Sequence, residues 1–298
     1  MAYEQRWYSG NPGCLIVLLD QSGSMDEVVV GDKLGRRKCD LAAEIVNQTL
    51  SRLVDGNTTM ESGVKDRAEV AVIGYGGSGV SSALGGFLTG QDIVSLSELA
   101  ANIVRTEQQE VHGVDSRGEP IVTVVDHLVW VEPSAAGGTP MGEAFRKAHS
   151  LVEVWAHAHP TSHPPVVINI SDGGATDCGP SRDFTPYARQ LVEVTTDDGN
   201  ALLLNIHVTE KQTTPIEYPA QIPDLGDVAG DPVTVMLANY LFDTASILPD
   251  VVRNRMQAEG TKVEAGARGF VFNGNGPSLT QMFVFVTPSS TGDIPMDR

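Results

Sequence analysis

The sequence predicts an α/β fold in which helices flank a mostly parallel central sheet. Short runs of consecutive apolar residues, typical of strands buried on both faces, alternate along the chain with stretches whose apolar residues recur at helical spacing. The chain has 298 residues, of which 41% are hydrophobic and 19% charged. This length fits one large domain or two small ones, and the composition supplies a buried core.

Each predicted strand is a mainly apolar run that ends at a polar or glycine-containing turn. In chain order these runs are residues 14–19, 69–75, 166–170, 201–208 and 267–272. A glycine-rich turn after the second run leads into a short antiparallel edge strand. We therefore expect a sheet of six strands, with right-handed crossovers between the parallel ones.

The predicted helices follow from apolar residues at helical spacing and from residues that favour helix starts. Ser95 or Ser97 is placed to cap the second helix, and Pro140 suits the first turn of the third. In chain order the helices are residues 38–54, 97–105, 141–155, 183–194 and 235–256, the last interrupted near Pro249. Residues 278–286 fit either a helix or a strand.

Two segments do not fit the alternation of strands and helices. Residues 106–136 contain two apolar runs, 121–125 and 128–131, which predict a β-hairpin insert. Residues 212–231 contain three prolines and predict a second insert, a surface loop.

Composition excludes several classes of function. Lys and Arg number 20 against 38 Asp and Glu, a net charge of −18, which disfavours binding to nucleic acid or anionic membranes. No apolar run approaches the ~20 residues needed to span a bilayer, and the N-terminus lacks the pattern of a secretory signal. Three scattered cysteines are too few for a disulfide scaffold. We therefore expect a cytoplasmic protein.

Three polar segments follow predicted strands or begin a predicted helix, and they should meet at one edge of the sheet. Asp20, Ser22 and Ser24 come directly after the first strand, Thr139 lies in a glycine-rich loop, and Asp172 follows the strand at 166–170. Ligands bind at the carboxyl ends of strands in open α/β sheets. These five residues offer only oxygen ligands, which predicts a site for Mg²⁺, with Mn²⁺ or Ca²⁺ as alternatives.

The same five residues resemble the metal-ion-dependent adhesion site of von Willebrand factor A (vWA) domains. That family has DxSxS after its first strand, then a threonine loop, then an aspartate after its fourth strand. Here the pattern is DQSGS at 20–24, Thr139 within GGTPMG, and Asp172 within ISDGG. The resemblance implies a Rossmann-like vWA fold as a single domain over residues 1–298, with its core at about 12–286.

Two further segments resemble the bacterial cytoplasmic branch of the family, found in tellurium-resistance-type operons and in stress or conflict systems. They are Tyr75-Gly-Gly and LFDTASILP at 241–249. The resemblance implies cation-dependent binding of a protein partner, whose Asp or Glu completes the coordination of the metal. It does not imply an enzyme.

Alternatives to the binding module remain open. A Mg²⁺-dependent phosphatase or phosphotransferase also begins with an apolar strand that ends in aspartate, but Ser22 stands where such enzymes have a second carboxylate acting as general acid. A metal that only stabilises the fold is a third possibility. Serine and threonine hydroxyls that merely cap turns would explain Ser22, Ser24 and Thr139 without a metal.

Three other features have weaker functional interpretations. GYGGSG at 74–79 matches a dinucleotide-binding pattern, but no helix start follows, so a turn is favoured. His157, His159 and His163 could bind Zn²⁺, but two prolines indicate a solvated loop. Trp130 in the first insert either contacts a partner or belongs to the core, and the sequence leaves both open.

Overall fold

The computed structural model describes residues 3–30, 32, 34–114, 120–209, 214–225, 232–274 and 281–282. The strands in these ranges are β1 (Gly13–Gln21), β2 (Thr58–Thr59), β3 (Gly63–Val64), β4 (Ala68–Gly76), β5 (Gly79–Ser82), β6 (Val94–Ser95), β7 (Arg105–Val114), β8 (Pro120–Val129), β9 (Val166–Ser171), β10 (Thr195–Thr196), β11 (Gly199–Asn200), β12 (Leu202–His207), β13 (Ile216–Glu217) and β14 (Phe270–Phe272). The α-helices are α1 (Lys38–Gly56), α2 (Leu96–Ala101), α3 (Met141–Ala158), α4 (Thr185–Val192), α5 (Pro232–Thr244) and α6 (Asp250–Ala258).

Eight of these strands form one central sheet in the order β13-β14-β12-β9-β1-β4-β5, with β6 pairing with another part of β4. The five strands from β14 to β4 are parallel, whereas β5, β6 and β13 pair antiparallel with their neighbours. The predicted α/β fold with a mostly parallel sheet is confirmed. The prediction of six strands, with one antiparallel edge strand, gave too few. It missed β6 and β13, because these strands have two residues each and carry no periodic pattern.

Helices cover both faces of the central strand β1. Leu15, Val17 and Leu19 face the side covered by α1, in a core cluster that includes Val46 and Leu50. The alternate side chains of β1 face the side covered by α3, in a second cluster; these are Cys14, Ile16 and Leu18. A strand buried on both faces needs a continuous apolar run, which is what 14–19 supplies.

The structure confirms most predicted elements to within a few residues. The long helical stretch at 235–256 divides into α5 and α6, with Pro249 as the N-cap of α6. The helix predicted at 97–105 is shorter, since α2 ends at Ala101; its cap is Ser95, which accepts a hydrogen bond from the Glu98 N–H. The undecided segment at 278–286 lies outside the described residues except for 281–282, which are helical.

A buried chain of polar side chains crosses the sheet. The Tyr75 hydroxyl donates to Asn169 Oδ1 at 2.7 Å, and Asn169 Nδ2 donates to Asn205 Oδ1 at 3.1 Å. Asn205 Nδ2 then donates to Thr244 Oγ1 at 3.0 Å, so the chain links β4, β9 and β12 to α5. Because buried amides are costly without partners, this chain favours the observed register of the strands.

The first insert is a two-stranded hairpin, but its strands are not the two apolar runs that predicted it. β7 pairs with β8, so the apolar run at 121–125 and most of the run at 128–131 lie on one strand and face a polar partner. The exposed fractions of Ile121, Val122, Val124 and Val125 are between 40% and 54%. The polar strand β7 was missed because a ribbon in solvent on both faces needs no alternating apolar pattern.

The base of the hairpin is anchored in the core. Trp130 is fully buried, and its indole N–H donates to the Leu99 carbonyl at 2.8 Å, so Trp130 is a core residue and not a contact for partners. Asn47 of α1 accepts hydrogen bonds from the N–H groups of Trp130 and Val131 and donates to the Val131 carbonyl.

The second insert is more than a surface loop in its described part. Residues 216–217 form β13, which pairs with β14, and both Tyr218 and Leu225 are buried. Prolines indicate that a segment leaves regular structure, but they do not tell whether it packs on the core. Residues 212–213 and 226–231 lie outside the described residues.

We predict that Asn47→Ala lowers the free energy of unfolding by about 2–4 kcal/mol, because it leaves buried backbone groups of Trp130 and Val131 without partners. Chemical denaturation measures this change. Gln48→Ala is the matched control, since that side chain donates to Glu44 on the same helix, and it should change stability by less than about 0.5 kcal/mol. Equal effects of the two substitutions would contradict the assigned role of Asn47.

Candidate metal centre

The candidate site lies at the carboxyl ends of the adjacent parallel strands β1 and β9. The register pairs Leu19 with Ile170, which places Asp20 beside Ser171 and one residue from Asp172 along the sheet edge. Asp20 is 1% exposed. The side chain of Asp172, directly after β9, is mostly buried.

Hydrogen bonds hold the Asp20 carboxylate from both sides. Its Oδ1 accepts from the backbone N–H of Ser22 at 2.9 Å, and its Oδ2 accepts from the Ser171 hydroxyl at 2.7 Å. The hydroxyls of Ser22 and Ser24 hydrogen-bond to each other at 3.1 Å. Ser22 is buried and Ser24 is exposed, so this side of the site reaches the surface through Ser24.

The loop that carries Thr139 is bonded to the same turn. The Gly23 N–H donates to the Gly137 carbonyl at 3.0 Å, and the Ala136 N–H donates to the Gln21 carbonyl at 2.8 Å. Gly137 has φ of +67°, and a Cβ there would lie 2.5 Å from Gly77 Cα, so only glycine fits.

Thr139 itself is buried and is bonded to the segment after Asp172. The Thr139 N–H donates to Thr176 Oγ1 at 2.8 Å, and the Thr176 N–H donates to the Thr139 carbonyl at 2.8 Å. This reciprocal pair joins the second and third polar segments. Direct bonds therefore connect Asp20, Ser22 and Ser24, whereas Thr139 and Asp172 join them through neighbouring residues.

The electrostatics of the site indicate two carboxylates close together. Burial and the charge of Asp172 raise the pKa of Asp20 from 3.8 to about 6, against hydrogen bonds from Ser22 and Ser171 that lower it. A nearby cation stabilises the charged form of a buried carboxylate whose pKa is raised in this way.

Lys38 supplies a cation to this edge. Its Nζ donates to Asp172 Oδ2 at 2.8 Å and to Glu27 Oε2 at 2.8 Å. Burial by itself lowers the pKa of Lys38, but the charge of Asp172 and the hydrogen bonds to Asp172 and Glu27 outweigh it and raise the pKa. Lys38 therefore remains an ammonium ion at neutral pH.

Sequence reasoning missed three residues of this network. Ser171 directly precedes Asp172 at a strand end, and that position was a signal that could have included it. Lys38 opens an amphipathic helix, where a lysine is usually solvated, so nothing in the sequence distinguished it. Thr176 gave no signal either, because its role depends on how two loops meet.

The donor set fits a hard divalent cation. The five predicted residues carry two carboxylates and three hydroxyls, which are oxygen ligands of the kind that Mg²⁺ accepts. The ion pair between the Lys38 ammonium and Asp172 indicates that this edge of the sheet favours positive charge. In the part of the chain that the structure describes, no group of three or more His, Cys, Asp or Glu side chains could hold a metal ion. That observation gives no support for Mg²⁺. The prediction of a Mg²⁺ site rests on the donor chemistry of the five residues alone.

The other candidate motifs take structural roles. GYGGSG at 74–79 forms the end of β4 and its turn into β5, which confirms the predicted glycine-rich turn. His157 is exposed at the end of α3, and His159 stacks on Trp155. His163 is 3% exposed and its Nδ1 contacts the Pro164 carbonyl at 2.8 Å, so the prediction of a solvated loop was wrong for this residue.

Comparisons with known proteins add little to this description. No protein-family model matches the chain, and no curated protein matches it. A solved structure of proximal thread matrix protein 1 from the mussel byssus is similar at 14% identity, with a TM-score of 0.36, over 70% of this chain. The match spans only 40% of the mussel protein, and a likeness this distant carries no argument about function.

The structure also bears on the membrane prediction. Within the described ranges, none of the helices combines the length and the apolar character needed to cross a bilayer.

We predict that the metal-free protein loses stability as the pH rises from about 4 to about 7. The folded state holds a proton on Asp20 up to about pH 6, whereas the unfolded chain releases it near pH 3.8. Between these two values the free energy of unfolding therefore falls as the pH rises. As the pH rises, Asp20→Asn should therefore gain stability relative to the native protein, by on the order of 3 kcal/mol at the upper end.

Chemical denaturation in chelator at both ends of this pH range measures the difference. Asp197→Asn is the control, since it changes the same charge at an exposed position. A stability difference between native protein and Asp20→Asn that does not vary with pH would contradict the assigned environment of Asp20.

Proposed function

We propose that the chain is a vWA domain that binds Mg²⁺ through Asp20, Ser22, Ser24, Thr139 and Asp172 and, through this ion, a carboxylate of a protein partner. The observation that carries the proposal is the meeting of three separate polar segments at the carboxyl edge of a parallel sheet, joined by the bonds from Ser22 to Asp20, Gly23 to Gly137 and Thr139 to Thr176. Capping alone does not require two aspartates at the ends of neighbouring strands.

The charges of the site favour an acidic ligand. Two carboxylates neutralise one divalent cation, and one of them, Asp172, is shared with the Lys38 ammonium. A metal in such surroundings would be poorly supplied with anionic ligands from the chain and would attract an Asp or Glu from outside. The exposed side of the turn, at Ser24, is where such a carboxylate would approach.

The cellular setting that we propose follows the resemblance of Tyr75-Gly-Gly and of 241–249 to the bacterial cytoplasmic branch of the family. In this setting the protein would act without catalysis, as an interaction module in a stress or conflict system. Mg²⁺ or Mn²⁺ suits a small, sharply turned site with hydroxyl ligands better than Ca²⁺, which prefers more ligands at longer distances.

We predict that Mg²⁺ binds the native protein and that capture of its partner from the native cell requires Mg²⁺. Asp20→Asn and Ser24→Ala should each weaken Mg²⁺ binding by at least about tenfold, because each removes an oxygen ligand or its charge. Calorimetric titration with Mg²⁺, Mn²⁺ and Ca²⁺ measures the metal step. Affinity capture with and without chelator measures the partner step.

Two controls separate this proposal from its alternatives. Ser150→Ala removes a hydroxyl that donates to the Arg146 carbonyl on the same helix, α3, and it should leave both measurements unchanged. Turnover of an aryl phosphate that requires Mg²⁺ and is abolished by Asp20→Asn would instead establish a phosphoryl-transfer enzyme. Equal capture with and without chelator would restrict the metal to a structural role.

The surface that selects the partner is, in our proposal, the insert at residues 106–136, through the exposed apolar side chains that β8 carries between 121 and 125. One carboxylate on a metal is too common to identify a partner, so selectivity must come from the surface around the ion. The hairpin offers exposed apolar side chains, and the chain runs from its base at Val131 directly to the Thr139 loop. Trp130 is excluded from this role by its burial.

We predict that the double substitution Val122→Thr and Val124→Thr weakens partner capture by at least about tenfold while Mg²⁺ binding is unchanged. Threonine keeps the preference for strand structure and removes apolar contact surface. Both positions lie on the same face of β8 and are more than half exposed.

The control for the hairpin variant is Val154→Ala on α3, since Val154 is 71% exposed and lies outside the insert. Thermal unfolding should show all these proteins equally stable. Undiminished capture by the hairpin variant, with Mg²⁺ still bound, would place selectivity on another part of the rim.

A further inference from the structure

Lys38 is held inside the protein by two carboxylates. Its side chain is 3% exposed, whereas the side chains of its partners Asp172 and Glu27 are 10% and 57% exposed. Lysine is almost never fully buried unless it is paired, because an ammonium ion loses its hydration there. The ion pair with Asp172 is therefore what keeps this side chain at the edge of the sheet.

The backbone fixes Lys38 to the turn that carries the candidate ligands. The Lys38 N–H donates to the Glu27 carbonyl at 3.0 Å, and Val28 forms an antiparallel bridge with Arg37. Arg37 in turn bonds to Asp26 at 2.8 Å. The segment after Ser24 and the start of α1 are thus tied together, and the ammonium ion has a fixed position beside Asp172.

This position has a consequence for a divalent cation. Asp20, Asp172 and Glu27 together carry three negative charges, and Lys38 reduces the sum to two. A divalent ion that enters must share Asp172 with an ammonium ion that is already bonded to it at 2.8 Å, and it meets repulsion from that ion.

We propose that Lys38 is a built-in competitor of the divalent cation for Asp172, which weakens metal binding by the protein alone. This inference rests on the proposed metal site.

Lys38→Met tests the proposal, because methionine is of similar length and carries no charge. Lys38→Gln is a second variant that keeps a hydrogen-bond donor. Calorimetric titration with MgCl₂ alone should show each variant binding Mg²⁺ at least about tenfold more tightly than the native protein. Thermal unfolding should show them less stable in chelator and stabilised more by Mg²⁺ than the native protein, because the metal replaces the missing charge.

The matched control is Lys147→Met. Lys147 lies on α3 and its Nζ is 2.6 Å from Asp92 Oδ1, so this substitution removes the same charge from another ion pair. It should leave Mg²⁺ affinity within about twofold of the native value. A purely structural role of Lys38 predicts the opposite of the proposal, namely weaker Mg²⁺ binding in the variants.

The outcomes separate this inference from the proposed function. Native protein that binds Mg²⁺, with Lys38 variants that bind it equally or more weakly, overturns the inference alone. Variants that bind Mg²⁺ when the native protein does not would support the inference and contradict metal binding by the native chain. Absence of Mg²⁺ binding in the native protein and in both Lys38 variants overturns the inference and the proposed function. Lys38 variants that fail to fold even in saturating Mg²⁺ overturn the inference alone.

Discussion

A buried carboxylate at the end of the central strand is the constraint around which this edge of the protein is organised. Moving an ionised carboxyl group out of water costs several kcal/mol unless hydrogen bonds and charges replace its hydration. Asp20 receives two hydrogen bonds, from Ser22 and from Ser171, and it stands near a second carboxylate. Ser171 and the second carboxylate, Asp172, come from a segment distant in the sequence, so satisfying Asp20 requires the two segments to meet.

The parallel arrangement of the sheet makes this meeting possible. β1 lies between β9 and β4, and all three strands end at the same edge. The pairing of these strands therefore brings polar segments distant in the sequence side by side. The helices α1 and α3 then bury the two faces of β1, which fixes the direction in which the residues at its end point.

The sequence was sufficient for the parts of the fold that have a strong periodic signal. The long apolar strands and the amphipathic helices α1 and α3 were predicted nearly to their ends, since their patterns come directly from burial on two faces or one. The two-residue strands β6 and β13 and the polar strand β7 were missed because they carry no such pattern. Their positions depend on pairing with strands far away in the chain.

For the candidate site, the sequence identified residues whose types and positions are informative on their own, and the structure describes how Asp20, Ser22 and Ser24 are bonded. It could not identify Lys38, because burial of a lysine is decided by a carboxylate 134 positions away. Nor could it tell that Trp130 is buried, since this depends on the Leu99 carbonyl and on Asn47 of α1.

The close approach of Gly137 to Gly77 has a mechanical consequence. Backbone meets backbone there without side chains between, and the Gly77 N–H also donates to the Ala136 carbonyl at 2.6 Å. No compressible layer separates the loop of Thr139 from the turn between β4 and β5. A displacement of one must therefore move the other, and the exposed Ser78 in this turn becomes a natural place for a spectroscopic label that senses events at the far side of the loop.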